Sequence, residues 1–172
     1  MGLPALKRAL KALLRKQPTP DEFRTIIREL ENAHPRAVAI MGATAVEDAL
    51  KGLIIKHFTP AILPSELDDL FGPTKPLSSF SAKINIAHAM GLFGPKTKAD
   101  LDLLREIRNA FAHARISISF KTPEIAELCD HFICASPTFR SARDTFISAA
   151  ENLFIHLWNR QFGTSFGSSR LD

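Results

Sequence analysis

The chain has 172 residues, of which 45% are hydrophobic and 23% charged, a composition typical of one soluble globular domain. Its longest stretch without a charged residue spans 84–95, which is shorter than the ~20 residues that a membrane-spanning helix needs. Lys7, Arg8 and Lys11 interrupt any apolar region near the start, which argues against a secretory signal. We therefore expect a cytoplasmic protein with no membrane partner.

The excess of positive charge lies at one end of the chain. The net charge is +4, and residues 1–16 contain five lysines and arginines and no acid. The rest of the chain is thus close to neutral. An electrostatic partner such as DNA or RNA is therefore expected to bind the N-terminal segment.

Apolar residues at helical spacing, punctuated by proline and glycine, predict helices along the whole chain. In chain order they cover about 4–16, 20 to just before 34, 35–58, 65–71, 79–90, 97–112, a short stretch after Pro123, and 138–162. Alternation of apolar and serine residues over 116–120 predicts an extended segment.

Three local signals refine this pattern. Thr19 and Glu22 flank Pro20 as a capping box, which predicts that the second helix begins there. The third helix is apolar almost all round, which is typical of the buried centre of a bundle. The sequence thus predicts an all-α protein, a single bundle of about six to eight helices over 1–162, followed by a disordered tail over 163–172.

Most familiar catalytic motifs are absent from the sequence. It contains no phosphate-binding G-x-x-x-x-G-K-[ST], no G-x-G-x-x-G, no H-E-x-x-H and no tyrosine. Cys129, His131 and Cys134 lie close together, but three ligands within six residues of a helix do not face one point. We predict neither a metal site nor a cofactor, and we interpret Glu127 and His131 as a surface pair one helical turn apart.

Arg108 is the most unusual charged residue. On a helical wheel it falls inside the apolar arc of Leu104, Ile107 and Phe111, so it points toward the bundle. A guanidinium there needs a partner. The only acids on the central helix are Glu47 and Asp48, and one of them is expected to pair with Arg108.

Asn109 and His113 share a neighbouring face of the same helix, and two interpretations of the segment remain open. In the first, Arg108, Asn109 and His113 form a hydrogen-bonded structural lock between helices. In the second, Arg108 neutralises a phosphodiester and His113 transfers a proton. On a continuous helix His113 lies about 140° from Arg108. The second interpretation therefore requires the helix to end near His113, or a second chain to supply one of the two residues.

The first helix carries the candidate nucleic-acid contacts. Lys7, Lys11 and Arg15 are expected on one face of it. Together with Arg8 they would bind phosphates and carry little sequence information. The alternative is a solvated face of an ordinary bundle helix.

Two motifs carry a resemblance to known families. Arg108 and His113 match the R-x4-H signature of the HEPN helical-bundle superfamily, with the polar residue Asn109 after the arginine. The longer order FSAKI (80–84), A-x-A-x-GL (87–92) and L-x-x-IRN-x-FAH (104–113), with VEDAL around Glu47 on the central helix, closely resembles the mannitol operon repressor family. The resemblance covers roughly 35–115.

This resemblance implies an all-helical bacterial cytoplasmic transcriptional regulator without a helix-turn-helix, which acts through DNA or through a protein partner. The resemblance to HEPN ribonucleases implies a second function, which is metal-independent RNA cleavage across a dimer. In that function Arg108 would hold the phosphate, His113 would act as acid or base, and Asn109 would orient one of them. A helical interaction module that binds no nucleic acid is the third alternative. A homodimer is expected from the apolar composition and from the use of the motif in dimers.

Overall fold

The described part of the chain folds into helices joined by loops. The computed structural model describes residues 2–14, 17–30, 33–135, 141–164 and 171. Eight helices lie within these residues: α1 (Leu3–Leu14), α2 (Pro20–Leu30), α3 (Pro35–Lys56), α4 (Pro64–Phe71), α5 (Phe80–Ala89), α6 (Pro95–His113), α7 (Pro123–Asp130) and α8 (Ala142–Phe162). No strand occurs in these described ranges. The predicted all-α helical bundle is confirmed.

Local sequence signals account for several helix ends. The backbone N–H of Thr19 donates to Glu22 Oε2 at 2.8 Å, and Thr19 Oγ1 accepts from the Glu22 N–H at 3.3 Å, which confirms the capping box. Gly91 has a φ of +69°, and its N–H and that of Leu92 donate to carbonyls of the last turn of α5. This glycine-based ending stops α5 where the sequence predicted.

The apolar helix α3 is the centre of the bundle, as predicted. It packs against α2, α5, α6 and α8, and residues around its circumference, including Val38, Val46 and Leu53, are fully or almost fully buried. The aromatic rings of α8 fill the space beside it. Phe154 stacks on Phe23 of α2 at 4.2 Å between ring centroids. Burial of this apolar surface supplies the main driving force for folding.

Two helix starts and the stretch 116–120 complete the comparison with the predicted elements. Helix α8 begins at Ala142, where the Ser141 side chain accepts a hydrogen bond from the Asp144 N–H; the predicted start at about 138 lies outside the described residues. Helix α6 begins at Pro95, two residues early, because proline is well suited to a first helical position. The stretch 116–120, predicted to be extended, forms neither helix nor strand.

A buried carboxylate fixes the loop after α7. Asp100 is fully buried and accepts hydrogen bonds from the backbone N–H groups of Ile133 at 2.9 Å and Cys134 at 2.8 Å. The Asn152 side chain donates to the Cys134 carbonyl at 2.9 Å. These bonds tie α6, the loop and α8 together and satisfy polar groups that would otherwise be costly to bury.

Helix α1 stands apart from the bundle. Among the described residues it packs against no other helix, and its last turn borders α2 across an open groove lined by Leu13, Pro18, Glu22, Thr25 and Ile26. None of the helices in the described ranges is both long enough and apolar enough to cross a membrane. The predicted tail falls largely on 165–170 and 172, which lie outside the described residues.

Candidate functional site

Arg108 on α6 points into the bundle and meets an acid of α3. Its Nη2 donates to Glu47 Oε2 at 2.7 Å. The sequence left Glu47 and Asp48 as alternatives, and the structure places Glu47 opposite the guanidinium while Asp48 is exposed. The helical-wheel argument therefore identified both the direction of Arg108 and the helix that supplies its partner.

Glu47 holds a second cation that the sequence analysis missed. Lys83 Nζ on α5 donates to Glu47 Oε1 at 2.6 Å and to the Ser78 carbonyl at 3.2 Å. The signal was available, because Lys83 lies on the same side of α5 as Phe80, Ile84 and Ala87, all of which are buried. A lysine inside an apolar arc, like the arginine in α6, needs a carboxylate.

Asn109 completes what we call the Glu47 cluster: Glu47, Lys83, Arg108 and Asn109. Arg108 Nη1 donates to Asn109 Oδ1 at 3.0 Å. The side chains of Lys83, Glu47 and Arg108 are 7%, 15% and 26% exposed, so the ions are largely removed from water. One carboxylate thus joins three helices, α3, α5 and α6, and each of its two oxygens accepts from a different cation.

His113 does not join this cluster. It is the last residue of α6, it is exposed, and it has no hydrogen-bond partner among the described residues. Because α6 remains helical as far as His113, the angle of about 140° from Arg108 is kept. Instead, Arg36 of α3 reaches the end of α6, where its Nη2 donates to the Ala114 carbonyl at 3.1 Å. Arg108 and Asn109 are therefore together, and His113 is separate.

This arrangement limits what the Glu47 cluster can do chemically. Glu47 neutralises the Arg108 guanidinium and occupies donors that a phosphodiester would need. A phosphate could bind Arg108 only by displacing a carboxylate that also holds Lys83. The geometry is that of an interhelical ion pair network, and it provides no acid–base pair within one chain.

Asp48 lies next to the cluster on α3, in surroundings that disfavour its negative charge. Although the residue is exposed as a whole, its surroundings desolvate the carboxyl, and this desolvation together with the charge of Glu47 raises the pKa of Asp48. Lys51 and Lys83 act in the opposite direction and only partly offset these effects. The ionised form of Asp48 is thus less favourable in the folded protein than in the unfolded chain.

The predicted nucleic-acid contacts lie on and just after α1. Lys7 is exposed on this helix. The backbone of Arg8 and Lys11 is helical, their side chains lie outside what the structure describes, and Arg15 lies outside the described residues altogether. The same helix also exposes leucines.

The two cysteines are buried thiols. Burial raises the pKa of Cys129 to about 12, and burial followed by the charge of Asp100 raises the pKa of Cys134, so both carry protons at neutral pH. The exposed His131 bonds through Nδ1 to the Glu127 carbonyl at 2.8 Å, a contact with the backbone and not with the Glu127 side chain. No group of three potential metal ligands occurs within the described ranges.

Comparison with known proteins adds no assignment. No protein-family model matches the chain, and neither does a curated protein or a solved structure. The resemblance to mannitol operon repressors therefore stays a prediction from the sequence.

Removing the shared carboxylate should destabilise the protein. In Glu47→Gln, Lys83 and Arg108 lose their common counter-ion in a site with little water, which should lower the free energy of unfolding by about 3 kcal/mol. Urea unfolding followed by circular dichroism measures the loss. Glu106→Gln, an exposed acid on α6, and His113→Ala should each change stability by less than about 0.5 kcal/mol. Equal stability of Glu47→Gln and wild type would contradict the role of the cluster.

The raised pKa of Asp48 predicts a pH-dependent stability difference. An acid whose pKa is higher in the folded state contributes stability that is complete below its unfolded pKa of about 3.9 and is lost as pH rises through the folded pKa. Asp48→Asn has no ionisable carboxyl at this position, so it does not lose this stability as the pH rises. Its thermal midpoint should exceed that of wild type near neutral pH, and the difference should shrink toward zero as the pH falls to about 4. A lower midpoint for the variant at neutral pH would refute the assignment.

Proposed function

We propose that this protein is a transcriptional regulator similar to the mannitol operon repressors, and that it acts by binding and not by RNA cleavage. The observation that supports this most is the position of Arg108. Its guanidinium is held by Glu47 and Asn109 inside the bundle, whereas His113 lies exposed at the end of α6. A nuclease of the R-x4-H type needs both side chains at one phosphate.

Three of the four stretches that carry the family resemblance meet in the Glu47 cluster. VEDAL supplies Glu47, FSAKI supplies Lys83, and IRN supplies Arg108 and Asn109. Their shared pattern is thus explained by an ion-pair network that holds three helices in place. This network gives Arg108 and Asn109 a structural role, in which His113 takes no part.

Binding is assigned to the N-terminal end of the chain. Helix α1 contains no acid, and Lys7 is exposed on it. Lys7, Arg8, Lys11 and Arg15 are proposed to contact DNA phosphates. Such contacts position a protein on DNA without reading its sequence, so we propose that a protein partner supplies the choice of target.

The ribonuclease is the second candidate, and one observation favours it. Helix α6 ends at His113 and leaves its ring exposed, so a second chain could meet it. Such a site would still require Arg108 to leave Glu47.

An RNA cleavage assay separates the two functions. End-labelled single-stranded RNA should remain intact with wild-type protein in excess EDTA. His113→Ala is the informative variant, because its exposed position allows it to fold normally. Cleavage by wild type that is lost in folded His113→Ala, as judged by an unchanged thermal transition, would overturn the proposal in favour of the ribonuclease.

A salt titration tests the phosphate contacts. Retention of duplex DNA by wild type should weaken steeply between about 50 and 200 mM salt. The double variant Lys7→Gln/Lys11→Gln should reduce the slope of log affinity against log salt by about 2, roughly 1 for each lost contact. Arg115→Gln/Lys121→Gln removes the same charge from another exposed region and should leave the slope unchanged. An equal fall in both double variants would show that α1 is not the contact.

A further inference from the structure

Helix α1 exposes a continuous stripe of leucines. Leu3, Leu6, Leu10 and Leu13 are 65%, 48%, 56% and 69% exposed, and at 100° per residue they fall within one arc of 80°. Among the described residues, no other helix covers this arc. An apolar face of this extent is typical of a surface that becomes buried in an assembly.

The same region provides a groove that such a stripe fits. Between the last turn of α1 and helix α2 lies an open cavity of about 440 Å³. Leu13, Pro18 and Ile26 give it an apolar lining, together with Glu22 and Thr25. An apolar ridge and an apolar groove therefore lie side by side on one surface of the molecule, and each lacks an occupant.

The charges around this surface indicate what covers it. Lys7 lies 40° from Leu3 on the wheel of α1, and α1 contains no acid. Asp21 and Glu22, both exposed, form the first turn of α2. Asp21 also contacts Arg24 at 3.4 Å but stays largely exposed, and the two acids disfavour a phosphate backbone or an anionic lipid surface at the groove. They attract the basic helix of a second copy of this chain.

We propose that the α1–α2 surface is a homodimer interface. The leucine stripe of α1 in one copy lies in the α1–α2 groove of a second copy, and Lys7 faces Asp21 of that copy. A two-fold axis makes the exchange reciprocal, so both stripes and both grooves are filled at once. Lys7 is thus shared between this interface and the proposed DNA contacts, so dimer formation is measured in the absence of DNA.

Sedimentation equilibrium of the full chain tests the apolar part of the interface. Wild type should show a concentration-dependent monomer–dimer equilibrium, and Leu6→Gln/Leu10→Gln should raise the dimer dissociation constant by at least tenfold. Because α1 packs against no other helix among the described residues, this variant should keep the wild-type thermal transition at a protein concentration where wild type is monomeric. Ile116→Gln changes another exposed apolar residue and should dimerise like wild type.

A charge exchange tests the docking itself. Lys7→Glu and Asp21→Lys should each weaken dimerisation several-fold, because each places like charges opposite one another. The double variant should restore the dissociation constant to within about twofold of wild type. Restoration supports the proposed pairing. Additive weakening in the double variant would overturn it.

Two further results would also overturn the proposal. One is a wild-type protein that stays monomeric at all concentrations, whether or not it co-sediments with phosphatidylserine vesicles. The other is a dimer that Leu6→Gln/Leu10→Gln does not weaken.

Discussion

One carboxylate determines how three helices of this bundle meet. Glu47 accepts from Lys83 of α5 and from Arg108 of α6 while lying on the central helix α3. Ions with so little access to water are costly to bury singly. The three helices can therefore pack closely only in the arrangement that brings both cations to the same acid. Apolar packing supplies the energy of the bundle, and this network selects one alignment of its helices.

The alignment has consequences at both ends of α6. Near its start, Asp100 is buried against the loop after α7 and receives two backbone hydrogen bonds. Near its end, Arg36 from α3 satisfies the Ala114 carbonyl, one of the acceptors that every helix leaves unpaired. Polar contacts thus fix α6 at its start, middle and end, and a shift along its axis would break all of them. His113, which takes part in none of these contacts, is the part of the R-x4-H segment that remains free to act elsewhere.

Much of the fold was predictable from the sequence because the signals are local. The capping box at Thr19 and Glu22, the glycine after α5 and the apolar circumference of α3 each specify a structure within a few residues. The direction of Arg108 was also predictable, since a helical wheel needs only one helix. The choice between Glu47 and Asp48, and the sharing of one acid by Lys83 and Arg108, lie beyond such signals, because they depend on how three separate helices are rotated against one another.

The two buried, protonated thiols can be chemically modified only when the structure around them opens. Cys129 lies on α7, and Cys134 lies in the loop that Asp100 and Asn152 hold in place. Both are shielded from solvent, and at neutral pH neither presents the thiolate that oxidants and alkylating agents attack. Their chemical modification must wait until the bundle opens. The rate at which these two thiols are modified therefore reports how often α7 and its loop separate from α8.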